Sequence, residues 1–206
     1  SLILLNTGKV LGFGDNEFGQ LGNGTSGTGT KSKTPVALNS ANGYNGSNVK
    51  TIYNSFNIEG GRYNIEISDF AGYNRYNGKQ VSCGNMHSLI LLDNGNVFSF
   101  GSNRYGQLGI GNTTNSFLPV EVDSQTSDYN GYNAIGISAG AFHSLILLNT
   151  GKVVGFGDHS RRQLGDSSSA NQRNSPVDVT SANGYTQNNA IQISGGVFHS
   201  LILLNT

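Results

Sequence analysis

The chain has almost no sulfur and little charge. Its 206 residues include one Cys, one Met, three Pro and no Trp, and charged residues make up 12%, against about 25% in an ordinary soluble domain. Each scarcity excludes something. One cysteine makes neither an internal disulfide framework nor a cysteine-based zinc site. Lys and Arg number 12, as do Asp and Glu, so there is no basic excess to hold nucleic acid by its phosphates. The longest apolar runs, Leu2-Ile3-Leu4-Leu5 and its copies, fall far short of the roughly 20 residues that span a bilayer. No basic-then-apolar leader opens the chain, which favours a cytoplasmic setting. Ser1 stands first rather than Met, as in a processed or partial sequence. The 30 glycines show no Gly-X-Y period, so the chain is not collagen-like.

Repetition is what the chain has in quantity. Ser1-Leu2-Ile3-Leu4-Leu5 recurs at Ser88, Ser144 and Ser200, with spacings of 87, 56 and 56. The expected units are 1–87, 88–143 and 144–199, with 200–206 starting a fourth. Other features keep phase: Gly12-Phe13-Gly14, Ser99-Phe100-Gly101 and Gly155-Phe156-Gly157; Gly19-Gln20-Leu21-Gly22, Gly106-Gln107-Leu108-Gly109 and Arg162-Gln163-Leu164-Gly165. Pro35-Val36, Pro119-Val120 and Pro176-Val177 do the same.

Each unit reads as four short strands. Leu89 to Leu92 is apolar throughout, as in a strand buried on both faces. Asn94-Gly95 is a hairpin signal, and Val97 to Phe100 is β-branched and aromatic. Pro119 opens a segment suited to a sheet edge, since proline cannot donate to a ladder. Gly136 to Ala139 is assigned to the end of the second unit. No window has a helical period. The fold expected is all-β, a partial β-propeller of about three four-stranded antiparallel blades.

The strings His143-Ser144-Leu145-Ile146-Leu147-Leu148, Gly151-Lys152-Val153-Val154-Gly155-Phe156-Gly157 and Asn103-Arg104-Tyr105-Gly106-Gln107-Leu108-Gly109 resemble the repeat of the regulator-of-chromosome-condensation (RCC1-like) family. The match covers nearly the whole chain except the extra length of the first unit. The family's usual Trp is Phe13, Phe100 and Phe156 here, and the third unit carries Asp158-His159-Ser160-Arg161-Arg162 in place of Asn-x-x-Gly. The resemblance implies a seven-bladed ring, of which this chain supplies about half, and a role as an interaction platform. Family roles include nucleotide exchange on a small GTPase, enzyme inhibition and tryptophan-based light sensing. The last is excluded by the absence of Trp. A three-blade arc leaves apolar faces open, so the chain is expected to be part of a longer chain or to assemble with other subunits.

The extra length lies at about 46–76 and reads as a hairpin turning at Gly60-Gly61, rich in tyrosine. Tyr53, Phe56, Arg62, Tyr63, Tyr73 and Tyr76 are candidate partner-binding residues, because such rings combine area with a polar tip. Packing of the segment on a neighbouring blade is the other reading.

His87, His143 and His199 share one phase, as do Gly22, Gly109 and Gly165. The histidines are expected to tether turns by hydrogen bonds, a reading that outweighs convergence on a metal. Cys83 aligns with Ala139 and Gly195 and reads as a small buried filler. His159, Arg161 and Arg162 read as a solvated loop, with a small anion site as the alternative. No cofactor and no catalytic constellation is indicated, because no helix follows the glycine strings to cradle a phosphate. The function expected is a non-catalytic protein-binding or structural scaffold module. The alternative is a regulator of another enzyme, either an exchange factor for a small GTPase or an inhibitor.

Overall fold

In a strand, successive side chains point to opposite faces, so a run such as Leu89-Ile90-Leu91-Leu92 is stable only with apolar material on both sides. The computed structural model, which describes residues 1–5, 9–38, 78–124, 129–131, 133–182 and 184–205, supplies it. The strands, in chain order, are β1 (Leu2–Leu4), β2 (Val10–Gly14), β3 (Ser32–Ala37), β4 (Gly78–Cys83), β5 (His87–Leu92), β6 (Val97–Gly101), β7 (Ser116–Glu121), β8 (Ala134–Ala139), β9 (His143–Leu148), β10 (Val153–Asp158), β11 (Gln172–Asp178), β12 (Ala190–Gly195) and β13 (Ser200–Leu204).

They form antiparallel sheets of order β1-β2-β3, β4-β5-β6-β7, β8-β9-β10-β11 and β12-β13. Among the described residues there are thus two complete four-stranded blades, flanked by a three-stranded and a two-stranded sheet. The strand at 134–139 corrects the sequence reading. It pairs with β9 and so opens the following blade instead of closing the second unit. β4 and β12 do the same for their sheets.

The alternation along β5 assigns each face a neighbour. Ile90 and Leu92 join Phe98 and Phe100 against Leu4, Val10 and Leu38 of the first sheet. Leu89 and Leu91 join Val97 against Ile137, Ile146, Leu148 and Phe156 of the third. One blade on, Leu145 and Leu147 pack with Tyr185 and Ala190. β5 and β9 are buried at all six positions as a result. The prolines fall on β3, β7 and β11, each the outer edge of its sheet. There a missing N–H costs no ladder bond.

Candidate functional site

The repeated polar residues converge at the junctions between blades. The Ser144 hydroxyl donates to the Gln107 carbonyl at 2.8 Å, and His87 Nε2 lies 2.9 Å from Ser144 Oγ. A hydroxyl has one proton. With that proton given to Gln107, His87 must carry hydrogen on Nε2 and donate to Ser144. The next junction repeats the arrangement: Ser200 donates to Gln163 O at 2.7 Å and lies 2.9 Å from His143 Nε2. Ser88 likewise donates to Gln20 O at 3.0 Å. The polarity is opposite to that of a catalytic serine, whose histidine has to accept the serine proton.

Glycine makes room for each imidazole. A Cβ on Gly84, Gly140 or Gly196 would lie 2.2, 2.1 or 2.3 Å from Cε1 of His87, His143 or His199. Gly22 and Gly109 serve a second contact between blades: a Cβ there would come within 2.9 Å of the Phe100 ring and 2.7 Å of the Phe156 ring. At Gly165 the nearest atom would be Val179 Cγ1 at 3.4 Å. Inner strands are also bonded side by side. Gln80 donates to Ile137 O at 2.9 Å and accepts from Ile137 N at 3.0 Å. Ser82 accepts from Ala139 N, and Ser138 from Gly195 N, both at 2.9 Å.

The junction histidines are held neutral. Burial, reinforced by His143, depresses His87 to about 3. Burial depresses His143 to about 4; Asp158 opposes the shift and His199 adds to it. Among the described residues, no group of three His, Cys, Asp or Glu side chains is placed to hold a metal.

Two tyrosines sit in the same framework. The Tyr129 hydroxyl accepts from Val97 N at 2.7 Å, and the Tyr185 hydroxyl from Val153 N at 2.8 Å. The sequence reading missed this pair, and their spacing of 56 residues is the signal that marks them as repeat positions. Gln107 and Gln163 carry the same signal.

The third blade departs from the pattern in its β10–β11 loop. In the first two blades one asparagine organises this loop. Asn16 Oδ1 accepts from Leu21 N and its Nδ2 donates to Thr25 O. Asn103 Oδ1 accepts from Leu108 N and its Nδ2 donates to Asn112 O. In the third blade two side chains divide the task. His159 Nδ1 accepts from Leu164 N at 3.1 Å. Arg162 donates through Nη1 to Ser168 O at 2.8 Å, the carbonyl nine residues after His159, the spacing that Asn16 and Asn103 span in the other blades. Arg162 has φ 64°, where Gly19 and Gly106 have 80° and 77°. A side chain there costs about 1–2 kcal/mol.

His159 is 1% exposed, which corrects the expectation of a solvated loop at that position; Arg161 and Arg162 are exposed. Its Nε2 lies 2.8 Å from Asp166 Oδ1, off the line of a well-formed hydrogen bond. Asp166 accepts from Arg173 Nε and Ser168 N. Burial raises its pKa, but these bonds and the charge of Arg173 outweigh burial and lower it. With Nδ1 capped by a backbone N–H and Nε2 facing a carboxylate, His159 has no nitrogen left to act as a base. Beside it is an open hollow of about 380 Å³, lined by His159, Arg162, Ser167, Ser168 and Ser169.

Cys83 is exposed, which corrects its reading as a buried filler. β4 places it at the sheet end where the chain turns into β5. The candidate partner-binding residues Tyr53, Phe56, Arg62, Tyr63, Tyr73 and Tyr76 lie outside the described residues.

The regulator of chromosome condensation (RCC1) repeat model matches residues 7–53, 94–147 and 150–203, and a second model of that repeat matches 79–107 and 134–163. The chain is 31% identical to human RCC2 over 169 residues, 82% of this chain and 25% of that protein. It is 33% identical to a Dictyostelium discoideum bifunctional kinase and NEDD4-like E3 ubiquitin ligase over 129 residues, 60% of this chain and 7% of that one. Human WBSCR16 superposes over the whole chain and 42% of its own length, with TM-score 0.68 and 23% identity. Saccharomyces cerevisiae Prp20p superposes over 96% of the chain and 40% of its own, with TM-score 0.69 and 18% identity. The chain therefore spans a quarter or less of these sequence relatives and about two fifths of the solved propellers. It belongs to the regulator of chromosome condensation (RCC1) repeat family and has the β-propeller fold of that family.

Proposed function

We propose that the chain works by binding proteins, as a non-catalytic interaction or scaffold module. One observation carries this reading: the polar chemistry of the repeat is consumed in joining blades, while an aromatic and basic surface is left over. Ser144, Ser200, His87 and His143 are bonded to one another or to backbone, and His159 is bonded at Nδ1 with Nε2 facing Asp166. At the end of the sheets where β4–β5 and β6–β7 connect, Tyr105 meets Phe142 edge to face, with ring centroids 5.4 Å apart. Arg104 lies over Tyr105 at 5.8 Å. Phe198, one repeat after Phe142, is 51% exposed. Tyr, Arg and other large side chains of this kind supply most of the energy at protein interfaces.

Prp20p has been described with its binding to Gsp1p and to histones, which supports protein partners in general for this chain. The segment at about 46–76, with Tyr53 and Tyr63, remains a proposed part of the binding surface.

The test is affinity capture with quantitative mass spectrometry, comparing the chain with a Tyr105→Ala/Phe142→Ala/Phe198→Ala variant of unchanged circular dichroism. Partners should be enriched by the first and lost by at least tenfold from the second. Equal enrichment overturns the assignment of this surface. A nucleotide-release assay on any captured GTPase separates a scaffold, which leaves release unchanged, from an exchange factor.

A further inference from the structure

We propose that the hollow beside Arg162 is a binding site for a phosphate-type oxyanion, either free or carried on a phosphorylated side chain of a partner. Two observations meet there. Arg162 occupies a left-handed backbone position that the other two blades give to glycine, so the protein keeps a strained arginine at this one loop. Its bond to Ser168 O uses one guanidinium N–H of the five available and pins the planar group at the wall of the hollow. A guanidinium held this way is preorganised for two-point contact with phosphate.

The nearby acids are turned to other partners. Asp166 is taken up by Arg173, Ser168 N and the facing His159. Asp158 accepts from Ser160 N, from Ser160 Oγ and from Gln163 Nε2. Besides His159, the other lining groups are the hydroxyls of Ser167, Ser168 and Ser169, of which Ser167 Oγ donates to Thr180 Oγ1. Ser168 Oγ accepts from Ala170 N at 3.0 Å, which leaves its proton to donate. Arg161, exposed next in sequence, adds positive charge without forming the wall. A carboxylate could satisfy the guanidinium, but a tetrahedral oxyanion has further oxygens to offer the hydroxyls on the serine side. The volume of about 380 Å³ leaves room for a phosphorylated side chain.

The experiment is titration of the full chain, in the assembly it adopts, with three probes: inorganic phosphate, a phosphoserine peptide and the same peptide unphosphorylated. Backbone amide resonances of residues 167–170 are followed. Saturable shifts are expected with the phosphate-bearing probes and not with the plain peptide. Peptide affinity at least tenfold above that of inorganic phosphate assigns the site to a partner's phosphate; equal affinity assigns it to the free ion. Arg162→Gly, which restores the residue of the other blades, should weaken binding at least tenfold. Because it also removes the cap on Ser168 O, Arg162→Lys is run beside it. Lys keeps the charge and loses the planar fork, and should weaken binding measurably. Absence of saturable shifts, or affinity unchanged in both variants, overturns the proposal. The inorganic phosphate arm needs no protein partner, so failure here is distinct from failure of the protein-binding reading.

Discussion

A buried serine between a carbonyl and an imidazole can satisfy both only by giving its proton to the first and accepting from the second. Ser144 does this between Gln107 and His87. Replacing it by alanine strands a buried carbonyl and a buried N–H together, each costing about 1–3 kcal/mol when unpaired. Ser144→Ala is therefore expected to lose about 2–4 kcal/mol in urea unfolding, against a few tenths for Ser169→Ala on the open loop. Equal losses would show that the junction contributes nothing. The recurrence of His and Ser was plain in the sequence, but the room that Gly84 and Gly140 make for the imidazoles was not. The direction of the proton was not, because it depends on Gln107, which is distant in sequence and belongs to a different motif. The exchange of Asn103 for the pair His159 and Arg162 was equally hidden. The sequence shows one motif decaying, whereas the structure shows one side chain's two bonds shared between two residues.

The strands themselves were legible: unbroken apolar runs for those sandwiched between neighbours, proline for the edges, Asn-Gly for the hairpin. The allotment of 134–139 to a blade was not, because repeat phase says where a strand recurs and not which sheet it joins. The consequence of that allotment is electrostatic. β5 and β9 begin with histidines buried at the seams, depressed from an ordinary 6.5 to about 3 and about 4. The unfolded chain takes up protons near pH 6.5 that the folded seams refuse. Stability is therefore complete above pH 6.5 and falls as pH drops toward 4, by on the order of 3 kcal/mol for each histidine. Urea midpoints at pH 7, 5.5 and 4.5 should decline in that order. The decline should flatten in a His87→Gln/His143→Gln variant, whose amides cannot titrate. A midpoint independent of pH, or a slope unchanged in the variant, would refute the assignment.

For the molecule as a whole, the repeat predicts where apolar surface is left open. Leu145 and Leu147 are covered by the next sheet; their equivalents Leu201 and Leu203 are 63% and 54% exposed. A two-stranded face of roughly 160 Å² leaves on the order of 4 kcal/mol of burial unused, a large fraction of the stability of an entire domain. The isolated chain is expected to self-associate through this face. Sedimentation velocity should show a mass that rises with concentration, and Leu201→Ser/Leu203→Ser should restore a single slow species. A concentration-independent monomer of the parent chain is the contrary result.

The connections between blades differ greatly in length. Residues 122–133 join β7 to β8 and 179–189 join β11 to β12, but 38–77 separate β3 from β4. The seams on either side, Ser88 to Gln20 and His87 to Ser144, are intact all the same. Loop closure costs only about 0.6 kcal/mol for each doubling of length, so this lengthening takes on the order of 1 kcal/mol from the fold. The β3–β4 connection is thus expected to tolerate insertion. Foreign epitopes or whole small domains could be spliced there, and the register of every neighbouring sheet would be kept by its own seam.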